Sequence, residues 1–209
     1  MPAKKKIALF DFDGVIADSY SVAFEVNKAV LPGLTEDVFR GFFDGNINDW
    51  GKGAVSANEI QRIRKEFFEK YLPRIKEVKM FPGIKEAITK LEKLYTLIVI
   101  SSTITSPIRE FMERYNMAEH FDEIMGNDVH TSKVEKAKMV FKKYGVGAPD
   151  CVFITDTLGD MREASLAGVR SIGVTWGFHK KDKLLKGNPF CIIEKPEDLN
   201  SIVCEYLKD

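Results

Sequence analysis

The chain has 209 residues, 44% of them hydrophobic, enough for one sizeable core or for a core with a small appended domain. Lysine plus arginine and aspartate plus glutamate both number 31, so the formal net charge is zero. Nucleic acid and anionic membranes, which select a basic excess, are therefore not expected partners. No apolar stretch reaches the length of a membrane span, and MPAKKKIALF lacks a signal-peptide core, so a soluble cytoplasmic protein is expected.

The first element is the apolar run IALF, read as a strand ending near Asp11. It leads into Asp11-x-Asp13 and then Gly14. The lysines at 4–6 before it read as a solvated tail. The next convincing strand starts only near Thr96, far beyond a normal crossover. The interval has helical patterning: SVAFEVNKAVL after Ser19, TEDVFRGFF with Thr35 as N-cap, and SANEIQRIRKEFFEKYL with a Ser56–Glu59 capping box. In the last of these, Ile60, Ile63, Phe67 and Tyr71 form one apolar face. Pro73 and MFPG (80–83) punctuate the return. Residues 17–79 are thus expected to form an all-helical insertion joined by two chain crossings and able to hinge. Residues 1–16 and 80–209 are expected to form the core.

Beyond residue 80, short apolar runs alternate with helical periodicity. TLIVI (96–100) reads as a strand, and Ser106-Pro107 as the cap and first turn of a helix to about Met117. FDEIMG reads as a short strand and Val134 to Tyr144 as a helix stopped by Gly145. CVFIT (151–155) is a strand, Asp160–Ala167 a helix, RSIGVTW and FCII strands, and Pro196 opens a last helix. Repeated strand–helix units predict an α/β fold, a Rossmann-like parallel sheet with helices on both faces. Chemistry in such sheets gathers at the carboxyl ends of the strands. The three cysteines, Cys151, Cys191 and Cys204, lie in apolar surroundings and are expected to be buried reduced thiols. His120, His130 and His179 are too scattered for a zinc site.

Four stretches stand at or just beyond strand ends: Asp11-x-Asp13, Ser101-Ser102-Thr103, the lysine in TSKVEKAK, and TDTLGD with Asp156 and Asp160. Each alone has an ordinary structural explanation, such as an Asx turn, a solvated strand end, a wet helix face or a helix cap. Together they supply what phosphoryl transfer requires. A nucleophile attacks phosphorus, a second carboxyl handles the leaving-group proton, and hydroxyls and a cation hold the phosphoryl oxygens. Aspartates beside a phosphate dianion need a screening metal, and Asp156 and Asp160 are the hard oxygen ligands that magnesium prefers.

With these residues in view, the chain resembles the haloacid dehalogenase superfamily, in its phosphatase branch near the phosphoglycolate phosphatases. The resemblance runs over essentially the whole chain: FDFDGVIADS, LIVISS, Lys133, ITDTLGD and the later SLAGVRSIGVTWGF. It implies Asp11 as nucleophile forming an aspartyl-phosphate and Asp13 as general acid–base. It implies Mg2+ bound by the Asp11 side chain, the Asp13 backbone carbonyl and Asp156, with Asp160 supporting through water. Ser101, Ser102 and Lys133 would hold the phosphoryl group, and the helical insertion would be a movable cap. The substrate would be a small phosphorylated metabolite, phosphoglycolate-like or a sugar phosphate.

Three positions depart from the commoner pattern. Thr155 stands where glycine often precedes the aspartate, and Ser102 where asparagine often follows. Lys133 lacks the following Pro-x-Pro, which leaves Lys136 as a rival. Asp13 argues against the family's dehalogenases and phosphonate-cleaving enzymes, which lack that carboxyl. A sugar-phosphate mutase shares the motif and remains an alternative. A phosphoacceptor switch domain, a non-enzymatic module, is more distant, because its acidic pair precedes the phosphoacceptor strand and it has no helical cap. GNINDWGKGA is not a P-loop: Gly45 and Gly51 are one residue too far apart and Gly53 replaces the hydroxyl residue. GVGAPD precedes a strand, so it is no dinucleotide fingerprint. Substrate selection is expected from the loop RGFFDGNINDWGKG (40–53), through Arg40, Asn46, Trp50 and Lys52.

Overall fold

The long apolar runs are strands buried on both faces. In the computed structural model, which describes residues 6–208, β1 (Ile7–Phe10) sends Ala8 and Phe10 into one hydrophobic cluster and Ile7 and Leu9 into another. After it come β2 (Ala17–Asp18), α1 (Tyr20–Val30), α2 (Glu36–Gly41), α3 (Ala57–Tyr71), β3 (Lys79–Met80) and α4 (Ile84–Leu91). Next are β4 (Thr96–Ile100), α5 (Thr105–Arg114), β5 (Glu123–Met125), α6 (Lys133–Tyr144) and β6 (Cys151–Thr155). The chain ends with α7 (Leu158–Leu166), β7 (Arg170–Val174), α8 (Lys181–Leu184), β8 (Cys191–Ile193) and α9 (Leu199–Tyr206).

Six strands form one parallel sheet in the order β5-β4-β1-β6-β7-β8. Helices α4, α5 and α9 cover one face through Ile88, Phe111 and Leu199. Helices α6 and α7 cover the other through Val140 and Ala164. The expected Rossmann-like α/β sheet is what the chain forms. Register then places the chemistry: Phe10 lies opposite both Val99 and Ile154, so three strands finish almost level. The residues just past those ends are Asp11, Ser101 and Asp156.

Helices α1 to α3 occupy the interval between β2 and β3. These two short strands pair antiparallel, Ala17 with Met80 and Asp18 with Lys79. The two chain crossings are therefore zipped side by side, a feature too short to show as alternation in the sequence. Phe178, in the loop after β7, packs edge-on against Tyr20 at 5.2 Å and Phe43 at 4.8 Å, and so ties the helical segment to the sheet.

Several boundaries differ from the sequence reading. Helix α5 starts at Thr105 with Ile104 at its cap, not with Ser106-Pro107. It stops at Arg114, two residues before Asn116 takes a left-handed φ of 53°. Helix α6 starts one residue early because Ser132 accepts from the Glu135 N–H, and α7 starts at Leu158 because Thr157 accepts from the Asp160 N–H. Ser56 caps α3, but Glu59 turns to Arg62 instead of closing the box. Helix α4 was not anticipated, and Pro196 opens a 3-10 turn ahead of α9.

Cys151 is buried while Cys191 and Cys204 are only partly so, and all three are free. Lys4 and Lys5 lie outside the described residues. Lys6 is not a solvated tail: its carbonyl accepts from Thr96 and its ammonium lies 3.5 Å from Asp150. Among the described residues no helix is long and apolar enough to cross a membrane.

Candidate active site

The site begins with a turn that the last strand residue cannot make alone. After Asp11 the carbonyl of Phe12 accepts from Ile16 at 2.9 Å and Ala17 at 3.0 Å, with Gly14 at a φ of 77°. The Phe12 ring goes down into the core against Phe111 at 5.0 Å. Asp11 and Asp13 flank it and both line a cavity of about 150 Å³ above the sheet. Glycine at 14 is needed on two counts. Its φ disfavours an L side chain, and a Cβ there would meet Asp156 Oδ2 at 2.0 Å.

Lys133, the first residue of α6, reaches back over the sheet. Its ammonium lies 2.9 Å from Asp11 Oδ1 and 2.7 Å from Asp160 Oδ2. Burial opposes that charge, but Asp11 and Asp160 hold the ammonium above the usual lysine range. Burial raises the Asp11 carboxyl well above the usual carboxylate range, against the pull of Lys133. Burial also acts against Asp160, yet Lys133 and the Thr155 hydroxyl keep it below its ordinary value. Thr155 thus supplies a 2.9 Å hydrogen bond that glycine in its place could not.

Lys136, the rival lysine, is buried elsewhere. Its ammonium donates to the backbone carbonyls of Ser101, Met125 and Gly126, stitching β4 to β5. Burial brings it down to about 8. It does not line the cavity; Lys133 does.

Asp156 is pushed up to about 7, chiefly by burial. Its Oδ2 accepts from the Phe178 N–H at 2.7 Å, while its Oδ1 is buried with no partner. Gly14 and Gly177 clamp the side chain: a Cβ on Gly177 would sit 2.2 Å from Oδ2. An unpaired buried acceptor costs about 1–3 kcal/mol, and a cation at Oδ1 would remove that cost. The residues present fit magnesium. The implied set has only two carboxylates, Asp11 and Asp156, plus the Asp13 carbonyl. Among the described residues no three acidic, histidine or cysteine side chains are arranged to hold a metal ion by themselves.

Asp13 is held from two directions. Tyr71, at the end of α3, donates to Oδ1 at 2.8 Å, and Thr103 donates to Oδ2 at 2.7 Å. Hydroxyls both donate and accept, so these contacts suit either protonation state of Asp13. By its period Tyr71 belongs to the apolar face of α3, yet its phenol meets Asp13. Ser101 is fully buried, its hydroxyl accepting from the Thr103 N–H at 2.9 Å; Ser102 and Thr103 line the cavity and Ser101 does not.

Of the four expected selectors, Trp50 alone borders the cavity. Arg40 stacks over Tyr20 at 4.2 Å, and Lys52 is exposed and paired with Asp49. Asn46 donates to Glu163 at 3.0 Å and to the Thr131 carbonyl at 3.2 Å. The loop is therefore docked on the core: Asn48 also reaches the Thr131 carbonyl, Arg162 donates to the Asp44 carbonyl, and Lys183 pairs with Asp44.

Two further residues escaped sequence reading. Glu163 accepts from the Lys133 N–H at 2.9 Å, placing an anion at the start of α6. His179 receives the Leu158 N–H on Nδ1 at 3.0 Å, so its other nitrogen carries the proton toward the Arg40 carbonyl at 2.8 Å.

Comparison with known proteins agrees with this geometry. A family model described as haloacid dehalogenase-like hydrolase matches residues 8–174, and the chain belongs to that family. A phosphoglycolate phosphatase of Synechococcus elongatus is 22% identical, covering 96% of this chain and 98% of its own. A probable phosphatase, IndB, of Dickeya dadantii is 25% identical over 91% and 90%. In structure, a protein of Clostridium acetobutylicum described as a predicted phosphatase superposes with a TM-score of 0.85 at 20% identity, covering 97% of this chain and all of its own. The expected resemblance to the phosphatase branch is borne out.

Proposed function

We propose that the chain is a magnesium-dependent phosphatase that hydrolyses a small-molecule phosphate monoester through an aspartyl-phosphate on Asp11, with helices α1 to α3 acting as a cap. The observation that carries this reading is the buried Lys133 ammonium between Asp11 and Asp160 at the cavity floor. It is a fixed cation beside a carboxylate, where a phosphoryl group needs both.

Asp11, Asp13, Asp156 and Asp160 set four carboxylates against one ammonium, which would repel a phosphate dianion. Magnesium held by Asp11, the Asp13 carbonyl and Asp156 would screen that charge. The Asp11 oxygen attacks phosphorus, and the bond to the leaving oxygen breaks. Asp13 gives its proton to that oxygen, so an alcohol departs. In the second half, Asp13 takes a proton from water as its oxygen attacks the same phosphorus. The acyl-phosphate P–O bond breaks, Asp11 is restored and inorganic phosphate leaves. Lys133 and the Ser102 hydroxyl hold phosphoryl oxygens in both steps. Tyr71 and Thr103 keep the Asp13 carboxyl aimed.

The test is phosphate release from a panel of monoesters that includes phosphoglycolate and sugar phosphates. Exhaustive chelation should silence release, magnesium restore it, and calcium restore it poorly because its larger, looser shell misplaces the nucleophile. Full activity after chelation would contradict the reading.

A further inference from the structure

Helix α7 grips Lys133 at both ends. Asp160 takes the ammonium at 2.7 Å. Glu163, three residues on and so on the same face of the helix, takes the backbone N–H at 2.9 Å. Glu163 is buried, and the same oxygen, Oε1, accepts twice more, from the Ser132 hydroxyl at 3.3 Å and from the Asn46 side-chain amide at 3.0 Å. Two of these donors belong to the turn that ends at Lys133. The third comes from the loop between α2 and α3. The Asn46 amide also donates to the Thr131 carbonyl at 3.2 Å, and Asn48 adds a bond to it at 3.0 Å. Residues 129–131 are exposed, so the two asparagines brace the approach to α6 from outside.

Resting on the phosphatase reading above, we infer that Asn46 and Glu163 are positioning residues through which the docked loop sets Lys133. The reaction needs such a brace. When the Asp11 oxygen bonds to phosphorus, the carboxylate that holds the ammonium at 2.9 Å is esterified, and its negative charge moves onto the phosphoryl oxygens. The ammonium has to follow that charge from a base that does not shift. That base is the backbone nitrogen held by Glu163. Asn46 stands in the loop expected to choose substrates, yet its amide is engaged by Glu163 and Thr131. It therefore acts on the phosphoryl group that every ester shares, not on the leaving group.

Asn46→Asp tests this. The new side chain keeps an oxygen to accept the Asn48 N–H, bonded at 2.8 Å, so the loop's own turn survives. It loses the donor, however, and sets a second carboxylate against Glu163. Inorganic phosphate, which has no leaving group, is the probe. With magnesium present, calorimetry should show it bound about tenfold more weakly by the variant. On every ester that wild type hydrolyses, kcat/KM should fall by one common factor, up to about 100-fold for a displacement of about 1 Å. Adding Glu163→Gln should recover part of both losses, because an amide can donate where the carboxylate only accepts. Unchanged phosphate binding, a changed preference among the esters, or no recovery in the double variant would overturn the inference while leaving the phosphatase reading intact. Weakened phosphate binding, with no ester hydrolysed by wild type, would do the reverse.

Discussion

Asp11, Asp156 and Lys133 sit one residue past a strand or at the first turn of a helix, each fixed by the sheet beneath it. Trp50, Phe67 and Phe68 project instead from a segment that leaves and rejoins the sheet through a ribbon of two residues per strand. The floor is charged, buried and rigidly registered. The roof is aromatic and held down by contacts that can be broken without disturbing the sheet. Under the proposed function, reaction belongs to the floor and recognition to the roof. Substitutions should therefore damage one without the other, except where the two parts touch.

The largest effect belongs to the floor. Asp11→Asn keeps the shape but removes the attacking oxygen's charge, so phosphate release should fall below about a hundredth of wild type on every ester. Asp13→Asn should cost about 10²–10⁴-fold on an alkyl ester, the usual weight of a general acid–base. The loss should be smaller for the first step on an aryl ester, whose leaving group needs little protonation. Equal losses on both esters would make Asp13 a turn residue.

The next effect is at the seam. A Cβ on Gly159 would lie 2.2 Å from the Gly45 carbonyl oxygen, so Gly159→Ala must push the loop at 43–45 off helix α7. A displacement of about 1 Å can cost about 100-fold in rate. The variant should lose up to that much kcat/KM with little change in melting temperature, because the sheet is untouched. An unchanged kcat/KM would show that the roof takes no part in turnover. The smallest effect is Tyr71→Phe, which removes one of the two hydroxyls on Asp13. One hydrogen bond contributes about 0.5–1.5 kcal/mol, so kcat should fall by no more than about tenfold. A loss as large as that of Asp13→Asn would make Tyr71 part of the proton transfer itself.

How far the sequence could be read follows the same division. The strands IALF, TLIVI and CVFIT were legible because burial on both faces makes an unbroken apolar run, and the residue after each run is where such sheets place chemistry. Asp11, Ser101, Asp156 and the sheet followed from that, whereas Lys133 was singled out by the family resemblance, with Lys136 as its rival. The seam was not legible. Gly159 and Gly177 are ordinary glycines until a backbone or a carboxylate is brought against them by distant parts of the chain. Tyr71 fits an apolar helix face by period, and its phenol gains meaning only when α3 folds over Asp13. Arg40, Asn46 and Lys52 lie in the expected loop, but their side chains turn to Tyr20, Glu163 and Asp49. Periodicity locates a loop; it does not say which of its side chains face the cavity.

The most direct test of the account is mass spectrometry of the Asp13→Asn protein, quenched in acid seconds after mixing with an aryl phosphate and magnesium. A burst of phenol matched by one phosphoryl group on the peptide containing Asp11, followed by slow release, is expected. A clean peptide with no burst, or a phosphoryl group on any residue other than Asp11, would contradict it.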